Sequence, residues 1–150
     1  MPPLPDPPGF SEWEATVPAS FKRDPIWRTP AYRFALWLGE FAKPDAKKLY
    51  ENRWSANDAD QLLRAVEAIS ANLAEGYGRR TGADRARYYD YARATARESR
   101  DWYFKARHEL GGDVFEARIA LLDRVIRILN AIIPRERGDG GRGRRGDRDR

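Results

Sequence analysis

Leu62, Val66, Ile69, Leu73 and Tyr77 recur every three or four residues along one stretch of the chain. That spacing puts five apolar side chains on one face of an α-helix. A helix with an apolar face must bury it against another element. Ser55 to Asp58 offer several N-cap residues for its start, and Gly76 and Gly78 end it, because glycine accepts the left-handed C-cap geometry at little cost.

Three further helical patterns surround it. One opens near Pro30, where a missing N–H costs nothing, and carries Tyr32, Phe34, Leu36, Trp37, Leu38 and Phe41 in several directions. A helix that is apolar on most sides is covered on most sides. Pro44 kinks or breaks it, and Asp45 to Arg53 continue as a second helical piece. Another pattern runs from about Ala83 to Leu110. Tyr88, Ala92, Thr95, Ser99, Ala106 and Leu110 share its inner face, with Trp102 and Tyr103 at the edges. The small residues let a neighbour approach closely, and the two hydroxyls can bond back to a carbonyl one turn earlier.

The last pattern spans about Val114 to Ile133 and ends at Pro134. Phe115, Ile119, Leu122, Ile126, Leu129 and Ile133 form one stripe; Val114, Leu121, Val125, Ile128 and Ile132 form a second beside it. Together they exceed the apolar arc of roughly 100° typical of a surface helix. One stripe closes a four-helix bundle. Leu121, Val125, Ile128 and Ile132 then belong either to a deeply buried helix or to an interface between subunits. The expected fold is all-α: an up-and-down four-helix bundle over residues 27–135.

The ends read differently. Five of the first eight residues are proline, and Pro18 and Pro25 follow; Gly138 to Arg150 hold no apolar side chain. Such compositions offset little ordering entropy, so residues 1–26 and 136–150 are expected to be disordered tails.

The chain has no cysteine and one histidine, His108, which excludes a disulfide framework, a thiolate metal site and a cysteine nucleophile. No leader-like segment and no membrane-length apolar run occurs, so a cytoplasmic protein without a membrane partner is expected. The net charge of +5 is concentrated at the C-terminus, where Arg135 to Arg150 hold seven arginines against four acids. This balance permits a polyanionic partner without requiring one.

Arg93, Arg97, Arg100 and Arg107 fall on the outer side of the third helix, with Tyr89 and Phe104 among them. Arginine forks bind phosphate and aromatic rings stack on unpaired bases, so this stripe is a candidate nucleic-acid surface. Arg79, Arg80, Arg85 and Arg87 cluster in the preceding turn. The competing reading is a solvated face tied to Asp90, Glu98, Asp101 and Glu109. Arg142, Arg144 and Arg145 lie in a glycine-rich tail similar to segments that bind RNA loosely, and the same tail can serve solubility alone. Glu98 and Asp101 are spaced for magnesium, but the second helix beyond its first turn offers only Glu67 and Glu75. The sequence therefore predicts no enzyme, no metal and no cofactor.

Ser70-Ala71-Asn72-Leu73-Ala74-Glu75-Gly76-Tyr77-Gly78-Arg79, followed by a tyrosine-rich, small-residue helix, resembles the signature of the intervening-sequence proteins of large-subunit ribosomal RNA. Asn72, Glu75 and Gly76 carry that resemblance as structural positions. It covers about Trp27 to Arg135. It departs at Ala71, where the family often has proline. The resemblance implies a bundle that assembles with copies of itself as a homopentamer. A related family, the accessory proteins of diversity-generating retroelements, implies RNA or DNA and a reverse transcriptase as partners. A protein-interaction scaffold without a nucleic-acid role is the alternative.

Overall fold

The computed structural model describes residues 3–146, with side chains through Gly138. Seven helices occur among the described residues: α1 (Phe10–Thr16), α2 (Ala19–Lys22), α3 (Pro30–Tyr50), α4 (Ala56–Tyr77), α5 (Gly82–Lys105), α6 (Arg107–Leu110) and α7 (Gly112–Gly146). Single 3-10 turns at Pro25–Arg28 and Arg53–Ser55 lead into α3 and α4. No strand occurs among the described residues.

The four long helices make the bundle. α3 packs on α4, α4 on α5, α5 on α7, and α7 back on α3. The connections are short, which makes sequence neighbours antiparallel. Thr81 caps α5, its Oγ1 accepting from the Asp84 N–H at 3.1 Å. Leu38, Leu49, Leu62, Val66, Ile69, Leu73, Leu122, Val125, Leu129 and Ile133 are fully buried between the helices.

Pro44 neither breaks α3 nor ends it; the helix runs unbroken from Pro30 to Tyr50. The residue that loses a helical partner is Glu40, four positions back. Both residues are exposed, so the freed carbonyl can be hydrated. The expected stop at Pro134 is also corrected: α7 passes through it. Beyond the proline, Glu136 pairs with Arg85 of α5 at 2.7 Å and Arg137 pairs with Asp90. Two cross-helix ion pairs hold the continuation against its lost hydrogen bond.

The expected disorder of residues 1–26 is corrected over residues 10–26. Phe10 is 1% exposed and sits edge-on to Phe34 and Trp37, with ring centroids 4.8 and 5.5 Å away. Trp13 lies against Trp27 and Trp37, and Phe21 against Trp27. Arg33 reaches Glu14 at 3.0 Å. Counting prolines missed the aromatic residues between them, which supply the apolar area that anchors the segment. The prolines also stiffen the unfolded chain and lower the entropy lost on docking.

Candidate functional site

The inner face of α5 is turned from its expected position. Ala86, Tyr89, Ala92, Ala96, Ser99 and Tyr103 are buried, while Tyr88 and Thr95 lie at the margin. Tyr89 therefore leaves the candidate nucleic-acid stripe: it is 4% exposed, and burial, with Glu136 nearby, pushes its hydroxyl up to about 12. The cause is visible at Gly76. A Cβ placed there would stand 2.7 Å from Cβ of Tyr88 and 3.0 Å from Cε1 of Tyr89. The glycine lets α4 and α5 cross closely, and Tyr89 fills the space beneath. Gly76→Ala should cost about 1–3 kcal/mol, since the clash involves a Cβ as well as a ring. Urea unfolding checks this; a loss below about 0.5 kcal/mol would mean that the crossing relaxes freely.

The rest of the stripe is largely engaged within the protomer. Arg93 donates to Asn130 Oδ1 at 2.8 Å and to Asp90 at 2.7 Å. Arg100 has Nε 2.7 Å from Asp123, a charge contact without hydrogen-bond alignment. These two arginines tie α5 to α7. Arg107 lies 3.8 Å over the exposed Phe104 ring and donates to the Phe104 carbonyl. Arg97 is exposed, with no acidic partner among the described contacts. The reading of a face tied down by carboxylates thus describes Arg93 and Arg100, and the reading of a free cationic face survives at Arg97. Arg142, Arg144 and Arg145 have side chains outside the described residues.

A denser arrangement lies where α4 ends and α5 begins. Arg79 pairs with Glu75 at 2.5 Å, donates to Tyr88 Oη at 2.8 Å and lies 4.7 Å over the Tyr88 ring. The hydrogen bond to Glu75 holds its pKa above the ordinary arginine value. Arg87 covers the same ring from 5.3 Å, and Tyr91 meets it edge-on with centroids 5.6 Å apart. Arg85 donates to the Arg79 and Arg80 carbonyls, which fixes the turn. Arg80, Tyr77 and Tyr91 are exposed around this cluster. Asn72 is half-buried at the flank of α4. The arrangement offers planar cations and ring faces, the groups that hold phosphates and stack on bases.

Leu121 and Val125 are buried within the protomer, so they are corrected as interface candidates: Val125 belongs to the bundle core, and the chain's own N-terminal segment lies beside Leu121. Pro7 and Pro8 lie beside Leu121, and Arg124 donates to the Leu4 carbonyl at 2.7 Å while lying over Phe34. Ile128 and Ile132, farther along, remain half-buried.

The sequence reading missed a buried polar triad. Asp45, 7% exposed, accepts from Tyr103 Oη at 2.7 Å and from Arg118 Nε and Nη2 at 2.7 and 3.1 Å. Arg118 also lies 4.2 Å over Phe41. Burial works against the Arg118 charge, but the hydrogen bonds and charge of Asp45 outweigh it and hold the guanidinium pKa above its ordinary value. Burial, then the Asp45 charge, pushes the Tyr103 hydroxyl far above its usual range. Every polar atom of the Asp45 carboxylate is thus answered, which marks the triad as a brace between α3, α5 and α7. The available signal was a lone aspartate directly after Pro44, within an apolar helix.

No group of three or more carboxylate or histidine side chains among the described residues could hold a metal ion. No described helix is long and apolar enough to cross a membrane. No curated protein sequence matches the chain. A family model described as 23S rRNA-intervening sequence protein matches residues 46–131, more than half of the chain. The Asn72–Arg79 run, the α4–α5 crossing at Gly76 and most of the bundle core fall inside that span, and the chain belongs to the 23S rRNA-intervening sequence protein family.

Proposed function

We propose that this protein is a non-enzymatic bundle that assembles with copies of itself and binds RNA or DNA at the junction of α4 and α5. One observation carries the reading. Arg79 and Arg87, each paired with one carboxylate, lie over Tyr88, and Arg80, Tyr77 and Tyr91 are exposed at the same junction, on a turn made rigid by Arg85. Rings stack on bases without regard to sequence, and arginine neutralises phosphate. Arg135 and Arg137 stand on the adjoining part of α7 and add to the local charge. Assembly is supported by half-buried Ile128 and Ile132, and it would multiply a weak contact by presenting several copies together.

Retardation of single-stranded and duplex RNA and DNA tests the proposal. Binding should weaken steeply as salt rises, because each neutralised phosphate releases counterions. Arg80→Glu with Arg87→Glu should lower affinity by about tenfold or more, and Arg97→Glu by less, without changing the assembly. Arg93 and Arg100 make poor probes, since their removal loosens α5 from α7. Absence of retardation at low salt would leave the scaffold reading, which the paired state of Arg93 and Arg100 favours. Pull-down from cells with and without nuclease would then separate RNA from a protein partner such as a reverse transcriptase.

A further inference from the structure

Trp54 is 90% exposed, far more than any other large apolar side chain described. It does not sit on a loose loop. The Asn52 side chain accepts from the Trp54 N–H at 3.0 Å. Ser55, buried beside it, donates to the Leu49 carbonyl at 2.6 Å and contacts the Asn52 carbonyl at 3.2 Å. The turn between α3 and α4 is therefore rigid, and it holds an indole out in solvent. An aromatic side chain carried on a fixed backbone has only its own rotamers to lose on docking, and such residues dominate interfaces.

The same chain carries a largely apolar groove edged by Arg118 and Arg124. Trp37, Phe41 and Leu121 line a cavity of 440 Å³ together with Pro7 and Pro8, and exposed Ala120 is part of its lining. A cavity of this size lies in the range that holds a small ligand, so one indole fits. Charge also matches. Residues 51–60 hold Glu51, Asp58 and Asp60 against Arg53. Arg124, beside the groove, faces a carbonyl and a ring rather than an acid. Glu51 and Asp58, on either side of the indole in sequence, can meet this cationic edge.

We propose that Trp54 of one subunit docks into the Trp37–Phe41–Leu121 groove of the next. The contact joins two different surfaces, so it propagates head to tail and closes into a ring where the rotation permits. It rests on the self-assembly reading above and names the residues that would carry it.

The absence of cysteine makes a clean test possible. Arg53→Cys puts a thiol beside the intact Trp54, and Ala120→Cys puts one in the groove. Mixed and gently oxidised, with one variant carrying a larger tag, the two should give a disulfide-linked heterodimer in clear excess over either homodimer. Adding Trp54→Ala to the Arg53→Cys chain should reduce that product at least about tenfold, since truncating a central anchor abolishes most of the affinity. Trp54→Ala alone should lower the mass seen by light scattering and leave the helical circular dichroism unchanged. Absent or Trp54-independent cross-linking in a protein that is still oligomeric overturns this contact while leaving self-assembly standing. A monomer mass for the unmodified protein at tens of micromolar overturns both. Loss of RNA binding in Trp54→Ala with unchanged mass assigns the indole to a base and overturns the contact.

Discussion

Asp45→Ala is expected to destabilise the fold by about 3–5 kcal/mol, because it strands a buried guanidinium. In the native chain Arg118 spends two donors on Asp45, and Tyr103 spends its hydroxyl there. Removing the carboxylate leaves all three unanswered where Tyr103 is fully buried and Arg118 only slightly exposed. For a chain of this length the midpoint of thermal unfolding should fall by roughly 10 °C. Asp45→Leu combined with Arg118→Met should recover most of the loss, since an apolar replacement of both partners removes the stranded charge. Thermal and urea unfolding of the single and double variants decide it. A single-variant loss under about 1 kcal/mol would show that the triad is hydrated or replaceable, and not a brace.

Phe10→Ala should lose about 3–5 kcal/mol, the range for a large aromatic removed from a packed site. The ring meets Phe34 and Trp37, and its backbone neighbours carry Trp13 onto Trp27. The variant should also expose the segment before Pro30 to brief protease treatment, while residues of α3 to α7 stay resistant. If Phe10→Ala matches the parent in both stability and cleavage pattern, the N-terminal helices are passengers on the bundle and contribute nothing to it.

The bundle itself was legible because its helices obey one rule. Leu62, Val66, Ile69 and Leu73 repeat at helical spacing, and all four are buried. α5 was harder to read. Its inner face holds three alanines among Tyr89, Ser99 and Tyr103, and alanines also stand on its outer side at Ala83 and Ala94. Periodicity alone therefore leaves its rotation ambiguous by about one position. The tie was broken by Gly76 on another helix, which admits Tyr89, and a pattern confined to one helix cannot register that. Phe10 was hidden for a different reason: a local density of prolines says nothing of a ring that packs against residues more than twenty positions away. The Asp45–Arg118 pair joins residues 73 apart in sequence, beyond the reach of any local spacing. At the candidate surface, the cluster of Arg79, Arg80 and Arg87 was visible in the sequence. Which of the α5 arginines were already engaged was not, because their partners Asn130 and Asp123 stand on α7.

The bond from Arg124 to the Leu4 carbonyl links positions 120 apart. On the ribosome Leu4 is made 120 residues before Arg124. At about 5–20 residues per second, the opening segment waits on the order of ten seconds before α7 has emerged to receive it. Trp37, which lines a groove with Leu121 in the finished fold, is without that cover during the interval. Trp37 and the rings packed on it are therefore open to chaperone capture until α7 arrives.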